Sequence, residues 1–202
     1  MRKILALLLL SLAVSVPVFA GYGEKTISYG GFYSSNLSRF KLAKRPTGLI
    51  IKNKSGTGLG FFVDIMTKDD FKLNIAISQN EKGGIYEYTS GGNTAEYEEA
   101  LTYMDFSFMG QYYFTSSEAP ISLYGGFGMY YGSLAEATVG STDVTDSYES
   151  YDAGYMYALG LEIAKHVILE MRTQTGMLEI DAASSSAKTK ISNLSFLVGV
   201  KF

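Results

Sequence analysis

Leu194-Ser195-Phe196-Leu197-Val198-Gly199-Val200-Lys201-Phe202 is the stretch that decides the fold. Leu194, Phe196, Val198, Val200 and Phe202 fall on one side of an extended chain, and Ser195, Leu197, Gly199 and Lys201 on the other. Alternation with period two is the signature of a strand with one apolar face, because successive side chains of a strand point to opposite sides. The apolar register runs through to the aromatic Phe202.

The pattern recurs upstream. Leu59, Phe61, Val63 and Ile65 alternate with Gly60, Phe62, Asp64 and Met66; Phe71, Leu73, Ile75 and Ile77 alternate with Lys72, Asn74, Ala76 and Ser78. Met104, Phe106, Phe108, Tyr112 and Phe114 lie opposite Asp105, Ser107 and Gln111. Leu123, Phe127, Met129 and Tyr131 lie opposite Ser122, Tyr124, Gly126, Gly128 and Tyr130. Tyr155, Tyr157, Leu159, Leu161 and Ile163 lie opposite Gly154, Ala158, Gly160 and Glu162, and Val167, Leu169 and Met171 opposite Glu170, Arg172 and Gln174. A first strand fits Ile27–Ser34, with Ile27, Tyr29 and Tyr33 on one side.

These segments make about eight strands. Short connections fall at Lys68-Asp69-Asp70, Thr115–Pro120 and Ala164-Lys165-His166; long polar ones fall near Ser35–Gly56, Asn80–Glu99, Ala135–Ser150 and Asp181–Lys190. Short turns at one end and long loops at the other are the plan of an antiparallel transmembrane β-barrel, with short periplasmic turns and longer extracellular loops. An even strand number puts both chain ends at the short-turn end. A soluble barrel with its apolar faces inward gives the same alternation. The small residues Gly60, Gly126, Gly128, Gly160 and Gly199 on the polar face, the aromatic ends of the apolar faces and the aromatic Phe202 favour the membrane barrel.

The N-terminus points the same way. Arg2 and Lys3 precede the apolar run Ile4–Val14, and Val18-Phe19-Ala20 ends it with a small residue, the form of a secretory signal peptide cleaved after Ala20. The run is shorter than the ~20 residues a membrane-spanning helix needs. Residues 21–202 are then one exported domain. Losing Arg2 and Lys3 takes the formal charge from −3 to −5, which excludes nucleic acid as a partner class. The chain holds no cysteine, so neither a disulfide framework nor a thiolate metal site is available. Tyrosine (16), phenylalanine (12) and glycine (22) are abundant and tryptophan is absent, a composition of strands and tight bends. With no long apolar run after residue 20, the mature chain crosses a membrane only as a closed barrel, which satisfies every backbone group between strands.

The stretch Ile121-Ser122-Leu123-Tyr124-Gly125-Gly126-Phe127-Gly128, the stretch Tyr155-Met156-Tyr157-Ala158-Leu159-Gly160-Leu161-Glu162 and the terminal strand resemble an ascending, a descending and the closing strand of the outer membrane protein beta-barrel domain family, the PorT-like small outer-membrane barrels. The resemblance covers most of the mature chain and is strongest from Tyr103 to Phe202. It implies an integral protein of the cell outer membrane. It also implies that the terminal strand, through Phe196, Val198, Val200 and Phe202, is the signal read by the outer-membrane assembly machinery. One member of the family serves in protein secretion; no motif here carries that role over, and the first long connection, with Arg39, Lys41, Lys44 and Arg45, matches none.

An eight-stranded barrel has an interior just wide enough for its own side chains. The inward register holds Asp64, Lys72, Asp105, Glu162, Glu170 and Arg172, with Lys201 beside them. Buried charges need partners, so these six are expected to form a structural ion-pair network; a gated path for protons or small ions is the alternative. No catalytic, cofactor or metal site is expected. His166 sits in a short turn, Ser116 and Ser117 at the same end, and Glu98-Glu99 and Asp69-Asp70 are adjacent pairs that a strand sends to opposite faces. Asp143, Asp146, Glu149 and Asp152 give an acidic third loop without an EF-hand pattern. Gly83-Gly84 and Gly91-Gly92 bracket Tyr86 and Tyr88 in a loop or hairpin extension, and Tyr130, Tyr131, Tyr148, Tyr151 and Tyr155 are expected as headgroup-level anchors, with a binding surface beside the loops as the alternative.

The expected function is therefore a non-enzymatic, monomeric outer-membrane barrel with a structural or interaction role. Its expected partners are outer-membrane lipid, the assembly machinery and a protein held at the loops. A narrow porin-like channel and a secreted soluble barrel with an apolar ligand are the alternatives.

Overall fold

The computed structural model describes residues 27–202 apart from 45, 69, 91 and 182–187. The expected export segment, Arg45, Asp69 and the middle of the fourth long connection lie outside the described residues.

Among the described residues ten strands run β1 (Ile27–Leu42), β2 (Leu49–Lys52), β3 (Lys54–Lys68), β4 (Phe71–Ser90), β5 (Asn93–Tyr113), β6 (Ile121–Val139), β7 (Thr142–Asp143), β8 (Tyr151–Ile163), β9 (Val167–Gly176) and β10 (Thr189–Lys201). Eight of them close an antiparallel ring in the order β1-β3-β4-β5-β6-β8-β9-β10, while β2 and β7 add to β4 and β6 outside it. The first and last strands close it through a register running from Gly30↔Lys201 to Leu42↔Thr189. Closure leaves no edge within the ring, so its backbone donors and acceptors are satisfied between strands.

Within the membrane belt, the apolar face of each ring strand points out, and the opposite face, which carries the charged and amide side chains, points in. Leu59, Phe61, Phe106, Phe108, Phe127, Met129, Tyr157, Phe196 and Val198 are exposed on the outer wall. Asp64, Lys72, Asn74, Asp105, Gln111, Glu162 and Asn193 are buried inside. A soluble barrel with inward apolar faces is overturned: water would meet a continuous apolar wall and the polar groups would be the ones removed from it. Five successive outward rows, from Tyr29/Phe202 to Leu37/Leu194, cover the β1–β10 seam. They span nine residues of β1, within the 9–11 that cross a bilayer as a tilted strand.

The loop end departs from expectation. β4 and β5 run to 20 and 21 residues and pair continuously from Phe71↔Tyr112 to Ser90↔Asn93. That is about twice what the bilayer requires. The expected loop Asn80–Glu99 is a β-hairpin standing beyond the apolar belt, with β2 along its side. β1 likewise continues to Leu42, well past Ser34, so Phe40 is a lumen residue. Backbone pairing persists after the outer face has turned polar, because only the side-chain alternation depends on lipid. Gly83, at φ 147°, takes a backbone conformation that an L side chain rarely adopts, and it lies between the end of the β3 ladder at Asn80 and the start of the β2 ladder at Ile85.

Candidate functional site

The lumen is the candidate site, and its filling follows from the inward register. Toward the short-turn end Phe32, Phe62, Ala76, Tyr113, Tyr124, Ile168 and Leu197 pack together. Met109, Tyr130 and Met156 form a second apolar group, and Phe40, Leu101, Tyr103, Ala137, Ile180 and Ile191 a third toward the loops.

Charged groups thread between these layers in two clusters. In the first, Lys72 Nζ lies 2.9 Å from Asp64 and 3.4 Å from Glu162. The ammonium sits over the rings of Tyr113 and Tyr124, at 5.2 and 4.9 Å from their centres. Tyr113 donates its hydroxyl to Glu162 at 2.7 Å, Lys201 pairs with the same carboxylate, and Asn74 donates to Asp64 at 2.7 Å. Glu170 pairs with Arg172 Nε at 2.6 Å and accepts from the Tyr124 hydroxyl at 2.8 Å. Three cations (Lys72, Arg172, Lys201) thus meet three carboxylates (Asp64, Glu162, Glu170).

The second cluster stands toward the loops. Lys82 Nζ is 2.8 Å from Asp105, which also accepts from Asn80 at 2.9 Å, and sits 4.6 Å from the ring centre of Tyr130. Tyr130 donates to Asp152 at 2.7 Å. Hydrogen bonds to the carboxylates and aromatic faces against the ammoniums are what allow ions to be held in so little water. Of the six residues expected in the lumen, five gather in the first cluster and Asp105 stands in the second. Sequence reasoning missed Lys82, which was assigned to a loop, and the hydroxyls of Tyr113 and Tyr124. Two assignments are corrected. Asp152 is buried in the lumen, apart from the acidic third loop, and Tyr130 is its partner where a headgroup anchor was expected.

The void bounded by Phe32, Phe62, Lys72, Asn74, Gln111, Tyr124, Ile168, Glu170, Arg172 and Leu197 measures about 10 Å³. That is at the lower limit for a single water.

Above the belt, Lys54 bridges Glu81 at 2.6 Å and Glu98 at 3.0 Å. Burial works against its ammonium, and the hydrogen bonds to the two glutamates more than offset that, raising its pKa. Tyr148 hydrogen-bonds Glu99. Burial lifts the Glu99 carboxyl above the usual carboxylate range; the Tyr148 bond opposes this and the Asp181 charge adds to it. In the third loop Asp143 accepts the Thr145 backbone N–H at 2.9 Å and its hydroxyl at 2.7 Å, which lowers its pKa.

A closed eight-stranded ring with lipid-type residues outside and a salt-bridged interior is matched by one family description. The outer membrane protein beta-barrel domain covers residues 6–202. The chain belongs to this family. Among solved structures, the outer membrane protein OprG from Pseudomonas aeruginosa is similar, at 18% identity and TM-score 0.52, over 88% of this chain and 95% of that one. Neisserial surface protein A is similar at 15% identity and TM-score 0.51, over 86% and 97%. No curated protein matches the sequence significantly. This family member is an integral barrel of the cell outer membrane.

The terminal-strand residues Phe196, Val198, Val200 and Phe202 all face outward, and Phe202, at 71% exposed, pairs with the Tyr29 backbone at the closing seam. The ring of His166 in the β8–β9 turn has Nδ1 3.0 Å from the Lys201 carbonyl.

Proposed function

We propose that this protein is a non-enzymatic, non-conducting monomeric barrel that anchors a rigid β-hairpin at the cell surface for contact with another macromolecule. The observation that carries the reading is the filled lumen: a balanced ion-pair network between apolar layers, with a void of about 10 Å³ where a pore needs a continuous water file. The six charges read from the sequence serve here to brace the barrel. The short-turn end, with both strand termini, faces the periplasm, as in other outer-membrane barrels. The β4–β5 hairpin then stands outside the cell, carrying the exposed Tyr88 and Tyr97 on one face and Ile50 of β2, beside Glu87, on the other. Aromatic side chains on a rigid support are common anchors of protein interfaces. The terminal strand with Phe196, Val198, Val200 and Phe202 is presented to the assembly machinery.

Single-channel recording in planar bilayers tests the reading. The wild type and Arg172→Met both give no discrete conductance steps, and Arg172→Met lowers stability. Stable steps in the wild type, altered by Arg172→Met with the fold retained, would establish the channel instead.

A further inference from the structure

The outer wall at the β1–β10 seam changes character over two rows. Tyr33/Val198, Ser35/Phe196 and Leu37/Leu194 belong to the apolar belt; the next outward rows are Arg39/Ser192 and Lys41/Lys190. Arg39 and Lys41 are exposed and Lys190 half-buried. At ~3.3 Å per residue along a tilted strand, these rows lie within the first ~15 Å of wall beyond Leu37, the depth of the lipid headgroups.

Two features set the strip apart. Lys41 and Lys190 are direct cross-strand partners, and like charges placed opposite one another on a sheet repel. Most other lysines with described side chains are paired: Lys52, Lys54, Lys72, Lys82, Lys165, Lys188 and Lys201 all have carboxylate partners. Among the described residues, Arg39, Lys41 and Lys190 have none. The nearby Glu179 is taken by Lys188, 2.9 Å away. The neighbouring outward residues, Thr173 and Thr175 on β9 and Ser55 on β3, carry no charge. A chain with a net formal charge of −3 has thus left three cations uncompensated at one level of its wall.

We propose that Arg39, Lys41 and Lys190 form a binding site for the phosphate group of a membrane lipid in the leaflet at the loop end. The planar Arg39 guanidinium takes two phosphate oxygens, and the lysines add charge from either side. Tyr33, Leu37 and Leu194 below them receive the first part of the acyl chain. The anion relieves the Lys41–Lys190 repulsion, so the site is emptiest in a membrane of neutral headgroups. The proposal rests on the membrane level read from the belt. Only the identity of the leaflet depends on the orientation proposed above.

The test is native mass spectrometry of the full mature protein, extracted from membranes, delipidated in detergent and titrated with phosphatidic acid, phosphatidylcholine or inorganic phosphate. Phosphatidic acid is expected to be retained in preference to phosphatidylcholine, with inorganic phosphate bound far more weakly. Arg39→Gln/Lys41→Gln/Lys190→Gln weakens retention by about tenfold or more. Lys41→Arg/Lys190→Arg and the distant Lys52→Gln/Lys165→Gln retain it. Heat-dependent gel mobility confirms folding of each variant, whose changed side chains lie outside the lumen. Equal retention of phosphatidylcholine, or unchanged affinity in the triple glutamine variant, would overturn the site; inorganic phosphate bound as tightly as the lipid would overturn the lipid assignment. Binding in detergent is indifferent to orientation, which protease access to the β4–β5 turn on intact cells reports separately.

Discussion

Replacing Lys72 by methionine removes one charge from the centre of the lumen and keeps most of its volume. The side chain is 2% exposed and is the only cation paired with Asp64 among the described residues. Glu162 keeps Lys201 and the Tyr113 hydroxyl, so the loss falls chiefly on Asp64, left with Asn74 as its donor. The balance of three cations and three carboxylates becomes two against three. Breaking a buried pair from one side costs about 3–5 kcal/mol, because the surviving ion stays uncompensated. At ~1.4 kcal/mol per tenfold, the folding equilibrium constant falls by roughly a hundredfold to a few thousandfold. Urea unfolding of the protein in lipid vesicles, read as the fraction of folded band on an unheated gel, measures it. The double variant Lys72→Met/Asp64→Leu removes both ions and recovers most of the loss, since apolar replacement of a whole buried pair is often neutral. Lys52→Met, at an exposed pair with Glu87 and Glu96, leaves the midpoint unchanged. A Lys72→Met variant within about 1 kcal/mol of wild type, or a double variant no better than the single, would refute the view that the lumen charges brace the barrel.

Gly160→Ala places a Cβ 2.3 Å from the Tyr124 ring. It pushes Tyr124 off Glu170 and costs about 1–3 kcal/mol in the same assay. Deleting Phe202 lowers the yield of folded protein in cells, while refolding of the purified chain into vesicles proceeds as in wild type; equal yields would remove the residue from assembly. The raised Glu99 pKa means the folded state binds more protons than the unfolded state above the ordinary value of 4.5. Stability at the hairpin base is therefore present at acid pH and lost as pH rises through the folded value. Hydrogen exchange around Tyr148 and Ile180 should quicken over that window, and Glu99→Gln should flatten the trend.

What the sequence made legible follows one physical rule. Where the outer face meets lipid, period two is strict, and counting within each strand from Phe61, Phe71, Leu161 and Leu169 places Asp64, Lys72, Glu162, Glu170 and Arg172 inside. The rule fails where the outer face meets water. Lys82 sits where the outward neighbour Glu81 is already polar, and Asp152 lies at the start of β8, before the regular alternation begins. Asn80–Glu99 and the start of Ala135–Ser150 read as loops although the backbone remains paired through the β4–β5 hairpin and at Ala137, Thr138 and Val139. Tyr130 shows the other gap: parity gave its inward direction, but a tyrosine at the belt's edge suits a headgroup equally well, and only the Asp152 partner decides. The strip at Arg39, Lys41 and Lys190 joins residues about 150 positions apart. Only the closure of β1 on β10 makes it a site.

The inside-out register is tested most directly by labelling. The chain has no cysteine, so single substitutions along β10 can each carry one spin label in vesicles. Labels at Phe196→Cys and Val198→Cys should collide readily with oxygen dissolved in the lipid, while labels at Ser195→Cys and Leu197→Cys should be shielded both from oxygen and from a water-soluble nickel chelate. Oxygen access at the second pair with shielding at the first, or access that does not alternate with period two, would contradict a lipid-facing apolar wall around a filled lumen.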